Sequence, residues 1–200
     1  MPTHPVQLHV TRAERVPRAE VAIRVVLVVA LGIVTWSAIS WILYLALPAL
    51  VALVLLRKGP DTFRTQDAPR VIRVLSWLAG AEAYLAFLTN ELPSTAGGTV
   101  RLQVNVTATP TASGALVRLV SSLPALLLVA VLSAVSSLVW VVAAIVALAT
   151  ERTPRIVGDL FLVVLRLKYR LVAYHLSLVD RYPSLAEGGQ GAGLDHALTT

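Results

Sequence analysis

The chain has no cysteine, which excludes disulfide bridges and thiolate metal sites. Charged residues are also scarce: they make up 14% of the 200 residues, against roughly 25% in typical globular domains. Hydrophobic residues reach 56%, and the mean hydropathy is +0.76. This composition indicates an integral membrane protein rather than a soluble globular one.

The apolar residues are concentrated in two runs without charge, 25–56 and 119–150. Each run exceeds the about 20 residues that one transmembrane helix needs. Basic residues flank both ends of each run, so a single span would place one basic flank outside, against the usual charge bias. A hairpin keeps both flanks in the cytoplasm, and we predict four short spans at about 21–37, 41–56, 115–132 and 137–150. One long bent helix per run is the alternative, because neither midpoint has Gly, Pro or Asn.

The chain also repeats itself. Val6–Val10 corresponds to Val100–Val104, and Arg24 corresponds to Arg118 at the same offset of 94 positions. Beyond the apolar runs the offset is 90, where Tyr84 corresponds to Tyr174. The repeat predicts two units, 1–94 and 95–187, followed by a Gly-rich tail, 188–200, whose composition indicates disorder.

We therefore predict an all-α integral membrane protein with two tandem repeats. Each repeat is expected to contain a short strand, a transmembrane helical hairpin and an interfacial amphipathic helix. The two strands, at 6–10 and 100–106, are expected to pair with each other. If segment 70–90 crossed the membrane instead, the second unit would be inverted, as in many transporters.

The last segment of the second unit, 155–181, has polar residues four or seven positions apart, which indicates an amphipathic helix. Such a helix at the membrane surface directs arginine towards lipid headgroups. Glu82 is interpreted as an interfacial acid paired with an arginine such as Arg73. The candidate residues for lipid or partner contact are Arg73, Trp77, Tyr84, Arg166, Lys168, Tyr169, Arg170, Tyr174 and Arg181.

The residues from Leu165 to Tyr174, followed by Asp180-Arg181-Tyr182-Pro183, resemble the hallmark of a bacterial membrane-protein family catalogued as domain of unknown function 4389. That hallmark is an Arg-rich helix, an Ala-Tyr pair and a terminal Asp-x-Tyr-Pro. The resemblance extends over nearly the whole chain as two tandem copies. The first copy departs from it, with Leu92 in the position of Tyr182. The resemblance implies a membrane location and supplies no activity.

No catalytic, metal or cofactor-binding residue is predicted, since the four histidines lack metal-ligand spacing. Nucleic-acid binding is not expected, although the net charge is +6. The expected function is that of a non-enzymatic accessory or scaffold protein, as a subunit of a larger membrane complex or a homo-oligomer. The alternatives are a small transporter or channel and a membrane-shaping protein. The expected partners are anionic lipids and other membrane subunits or further copies of the chain. The expected location is the inner membrane, multi-pass, with both termini cytoplasmic.

Overall fold

The structure, a computed structural model, describes residues 4–13, 15–35, 38–93, 98–108 and 110–183, without the side chains of 31–45, 112 and 119. It is mostly helical, with one small sheet. The strands are β1 (Val6–Val10) and β2 (Val100–Val104). The helices are α1 (Arg18–Thr35), α2 (Ala38–Lys58), α3 (Pro60–Thr62) with a π-helical turn (Phe63–Asp67), α4 (Ala68–Leu85), α5 (Ala112–Ser121), α6 (Leu123–Thr150) and α7 (Arg155–His175).

The two strands pair in antiparallel fashion, which confirms their predicted pairing. Leu8 lies opposite Leu102, and these two leucines are equivalent positions of the sequence repeat. The pairing therefore places a local two-fold axis between them. Both leucines are buried, whereas His9 and Arg101 are exposed. This alternation gives the sheet one face on the core and one polar face.

Helix α7 lies at the centre of the fold. Three successive side chains of α7 contact three different elements. The Nε of Arg166 donates to the carbonyl oxygen of Leu8 in β1 at 3.3 Å. Leu167 clusters with α6, and the Nζ of Lys168 lies 2.7 Å from the Oε1 of Glu82 in α4. Because successive helical residues project about 100° apart, α7 is enclosed by the sheet, α6 and α4.

Helices α6 and α7 are antiparallel neighbours. Residues 151–154 connect the end of α6 to the start of α7. At the opposite end, His175 of α7 is hydrogen-bonded to Ser122, which directly precedes α6. Between these points Leu167 and Leu171 pack with Ala125 and Val129. Helix α6 is about 42 Å long at 1.5 Å per residue, and it is held to α7 at both ends.

The two halves of the chain pack against each other. Helix α1 packs against α6, and α2 packs against α5. The backbone N–H of Val16 donates to the carbonyl oxygen of Glu151 at 2.9 Å. One hydrophobic core contains residues of both halves of the chain, from Val6 to Val179. The predicted tail, 188–200, lies outside the described residues.

The predicted fold of two transmembrane hairpins is wrong. The second apolar run has no turn near its midpoint, since α6 continues through Ser133 and Ser137. The hydroxyl of Ser137 donates to the carbonyl oxygen of Ser133 at 2.9 Å within the helix. The missing turn residues explain this continuity. The predicted spans 115–132 and 137–150 are replaced by α5, a break at Ser122, and α6.

The predicted interfacial helix in the second unit is wrong as well. Twelve of the residues of α7 are buried, Tyr169 and Arg170 among them. An amphipathic pattern arises whenever one helical face is more apolar than the other. The buried apolar residues of α7 pack against other parts of the chain, so they cannot lie among acyl chains.

Within the described residues, α6 alone is long and apolar enough to cross a membrane. Its most apolar stretch of 18 residues has a mean hydropathy of 2.6, and 11% of that stretch is buried in the protein. One such helix is weak support for membrane association. It does not establish a multi-pass topology or the side on which the termini lie.

Candidate functional site

Arg24 of α1 is completely buried and has a set of specific partners. Its guanidinium group lies 3.9 Å from the ring centroid of Tyr84. It donates to the Oε2 of Glu20 at 2.7 Å and to the Oδ1 of Asn90 at 3.1 Å. The ion pair, the amide contact and the cation–π contact each stabilise the buried charge.

Arg118 of α5 occupies the equivalent position in the second half of the chain. Its guanidinium lies 5.2 Å from the ring centroid of Tyr174. It donates to the carbonyl oxygen of Val179 at 3.1 Å and forms an ion pair with Asp180. Arg, Tyr and an Asn or Asp side chain thus recur at equivalent positions of the two halves.

Each arginine cluster fixes the chain that leaves the last helix of its half. Phe87 and Ser177, equivalent residues, both have left-handed backbone conformations, with φ of 59° and 54°. The following residue closes the same turn in each half: Leu88 N–H to Ala83 O and Leu178 N–H to Ala173 O, both at 3.0 Å. This geometry ends the helix and returns the chain to the arginine. The clusters are therefore positioning devices of the fold.

A second polar contact joins α4 to α7. Glu82 pairs with Lys168, rather than with Arg73 as the sequence suggested. Tyr169 lies beside Glu82, and its pKa is raised, first by burial and then by the charge of Glu82 and a hydrogen bond to it. A phenol in this setting stays protonated and donates to the carboxylate.

His175 is fully buried at the end of α7 and is hydrogen-bonded to the hydroxyl of Ser122. Burial lowers the pKa of His175 from 6.5 to about 4. Its imidazole is therefore neutral near pH 7, and the contact links α7 to the start of α6.

An open groove of about 380 Å³ runs along α4. It is lined by Arg70, Arg73, Val74 and Trp77, which lie on one helical face. Within the described ranges neither arginine has an ion-pair partner. Two cationic groups beside an indole and a valine match the chemistry of an anionic headgroup with an acyl chain. At the position equivalent to Trp77, α7 has the buried Leu167, so the groove belongs to the first half only.

The structure divides the predicted contact residues into two groups. Arg73 and Trp77 are exposed in the groove of α4, and Arg181 is exposed after α7. Arg166, Lys168 and Tyr174 are half-buried, and their contacts are to other parts of the chain. The buried members of the set are Tyr84, Tyr169 and Arg170. Contact with lipid or a partner stays a prediction for this set.

Among the residues placed by the structure, no group of three or more His, Cys, Asp or Glu side chains could hold a metal ion. Neither Arg70 nor the contacts of Arg24 and Arg118 were predicted from the sequence. For the two buried arginines the signal was present, because Arg24 and Tyr84 each recur in the second half. Residues that recur at equivalent positions of both halves were candidates for mutual contact.

The protein is therefore mostly helical, with an apolar helix, α6, on the outside and a two-stranded sheet that has one buried and one polar face. Residues 113–186 match the family model described as Domain of unknown function (DUF4389). This match supports the predicted family, in one copy rather than the two tandem copies expected. No curated protein and no solved structure matches the chain.

Replacing Arg24 with Gln is expected to destabilise the fold by about 2–4 kcal/mol, because Glu20 and Asn90 lose their buried partner. Arg64→Gln is the control, at an exposed residue that forms no ion pair with another described residue, and it should change stability by at most about 0.5 kcal/mol. Thermal unfolding of the purified protein in detergent, followed by circular dichroism, measures both. Equal stability of the two variants would contradict the role assigned to Arg24.

The lowered pKa of His175 predicts a pH dependence. Below about pH 6.5 His175 is protonated in the unfolded chain, whereas in the folded chain it stays neutral down to about pH 4. The free energy of unfolding therefore falls by up to about 1.4 kcal/mol per pH unit as pH decreases through this range. His175→Gln keeps a hydrogen-bonding group beside Ser122 but does not titrate. The stability of the wild type relative to this variant should therefore fall by roughly 2 kcal/mol between about pH 7.5 and about pH 5. Parallel stability curves for the two proteins would show that His175 is not the responsible group.

Proposed function

We propose that the chain is a membrane-bound, non-enzymatic accessory or scaffold protein, working as a subunit of a larger membrane complex or as a homo-oligomer. The observation that carries the proposal is the outer face of α6. Along its whole length this face exposes large apolar side chains and no charge: Leu123, Leu127, Val131, Val135, Leu138, Val141, Val142, Ile145 and Leu148. Soluble monomers rarely expose so long an apolar patch, which marks a lipid or protein contact.

The ionisable groups inside the fold support a structural role. Arg24, Arg118 and Lys168 are each engaged in an ion pair. The pairs of Arg118 and Lys168 join a helix to another helix or to the segment after α7, whereas the pair of Arg24 with Glu20 lies within α1. Arg24 joins α1 to α4 and the segment after it through Tyr84 and Asn90. The ion pairs of these three residues therefore give their charges a role in maintaining the fold.

We also propose that residues 1–94 are a diverged second copy of the matched family. The support is geometric: equivalent leucines face each other in the sheet, equivalent arginines approach equivalent tyrosines, and equivalent residues have positive φ. The first half lacks the terminal Asp-x-Tyr-Pro sequence, because Leu92 stands in the position of Tyr182. This difference accounts for a family match that is confined to the second half.

The lipid partner that fits this proposal is anionic. Arg70 and Arg73 of the α4 groove supply two guanidinium groups for a phosphate, and Trp77 supplies an amphipathic ring suited to the interface. The chain has 17 Lys and Arg residues against 11 Asp and Glu residues, and this excess of basic charge also favours membranes that contain anionic lipid. We place the protein at the cytoplasmic face of the inner membrane, with both termini in the cytoplasm, on the basis of this basic charge.

A second candidate function is bilayer shaping. An apolar face that enters one leaflet expands that leaflet more than the other. The exposed stripe of α6 extends over about 38 Å from Leu123 to Leu148 at 1.5 Å per residue. Tubulation of large vesicles by the purified protein would favour this candidate over an accessory role.

The accessory role predicts a stoichiometric partner. Extraction of the protein from its native membrane in a mild detergent, followed by mass measurement of the purified particle, should give a complex larger than one chain. A second protein in fixed ratio identifies the complex, and a uniform homo-oligomer supports the scaffold form. A monodisperse single chain would contradict the proposal.

The groove predicts selective binding of anionic lipid. In native mass spectrometry with added lipid, the protein should bind phosphatidylglycerol about 30-fold more weakly after Arg70→Gln and Arg73→Gln together, since each arginine contributes about 1 kcal/mol. The pair Arg64→Gln and Arg101→Gln removes the same charge from exposed positions outside the groove and should leave the affinity within about twofold. An equal loss in both double variants would mean that only net charge matters.

A further inference from the structure

We infer that α6 lies in the plane of one membrane leaflet, with its outer face among the acyl chains and both of its ends at headgroup level. The inference rests on the proposed membrane location and specifies how the protein meets the lipid. Its occupant is the hydrocarbon of a single leaflet.

The outer face of α6 suits hydrocarbon along its whole length. The hydroxyl of Ser137, an exposed polar group of this face, is satisfied inside the helix by the carbonyl oxygen of Ser133. Such internal bonding is what a polar group requires where water is absent. The opposite face carries small residues against the protein, including Ala143, Ala144 and Ala147. Helix α6 is thus apolar all round because one face meets protein and the other is available to lipid.

The contacts of α6 oppose a transmembrane orientation. At its start α6 is tied to the end of α7 through Ser122 with His175. It is also tied to the segment after α7, because the Ala125 N–H donates to the hydroxyl of Tyr182 at 3.2 Å. At its end it is tied to the N-terminal segment by the contact of Glu151 with Val16. If α6 crossed the bilayer, α7 would have to cross beside it.

Helix α7 and the sheet are unsuited to the hydrocarbon region. Arg166 and Lys168 lie near the middle of α7, and the first of them contacts β1. A two-stranded sheet leaves backbone groups unpaired at its outer edges, which hydrocarbon cannot satisfy. His9 and Arg101 are exposed on the same sheet. Of α6, α7 and the sheet, α6 alone is therefore suited to the hydrocarbon region.

Basic residues occur at both ends of the α6 face. Near its start lies the exposed Arg181, next to Tyr182, whose hydroxyl accepts from the Ala125 N–H. At its end lie the exposed Arg152 and Arg18, of which Arg18 pairs with Glu151. A helix parallel to the surface places both ends beside anionic headgroups. This orientation explains why basic charge flanks the second apolar run on both sides, the pattern from which a hairpin was predicted. The same charges favour lipid over a second copy of α6, which would bring like charges together.

The test uses the absence of cysteine from the chain. Ser121→Cys and Thr150→Cys place one thiol at each end of α6, at exposed positions, and His9→Cys marks the exposed face of the sheet. Each variant is expressed as the full chain, and sealed membrane vesicles of both orientations are treated with a membrane-impermeant maleimide. All three thiols should react from the same side. Leu138→Cys, at the centre of the outer face, should stay unreacted in the vesicles, because a thiol among acyl chains does not ionise, and should react once the protein is in detergent.

Reaction of the Ser121→Cys and Thr150→Cys thiols from opposite sides would overturn the inference in favour of a spanning α6. Failure of both to react would also overturn it, because the ends would not be at headgroup level. Reaction of the Leu138→Cys thiol with the impermeant maleimide in the vesicles would overturn the inference, because the outer face would then be in water. Recovery of the protein in the membrane fraction tests the proposed location separately. If the chain is membrane-bound but α6 spans, only this inference fails.

Discussion

The packing of α6 against α7 is the contact on which the rest of the structure depends. Leu167 and Leu171 meet Ala125 and Val129 in this interface, and the bond between His175 and Ser122 closes one end. Because α7 is also in contact with β1 and α4, the position of α6 is fixed relative to the sheet and to the first half of the chain. The apolar outer face of α6 then follows from geometry, since only one side of the helix can face α7.

The sequence predicted the strands and the extent of the apolar runs, because period-two alternation and charge-free runs are local signals. It did not predict how the runs are arranged. Basic flanks at both ends of a run suit a hairpin, and they suit equally a helix parallel to the membrane surface. Likewise, the amphipathic pattern of α7 is compatible with a membrane surface and with the interior of the protein. In both cases tertiary contacts, which no local pattern encodes, decide between the two arrangements.

The site residues show the same contrast between what local patterns predict and what tertiary contacts decide. The recurrence of Arg24 and Tyr84 as Arg118 and Tyr174 was visible in the sequence, and the structure brings each pair into contact. Trp77 and Arg73 were singled out by residue type, and they line the α4 groove. Tyr169 and Arg170 were selected by the same reasoning, but they face the interior. Residue type identified side chains that are able to contact lipid. Whether each of these side chains is exposed depended on which other elements pack against its helix.

The most direct measurement of the central claim is the immersion depth of spin labels along α6 in lipid vesicles. Labels attached through cysteine at four exposed positions, Leu127, Val131, Leu138 and Ile145, sample most of the outer face. A helix parallel to the membrane surface predicts nearly equal depths at all four, within one leaflet. A depth that changes by up to about 1.5 Å per residue, passing through the bilayer centre, would contradict the account.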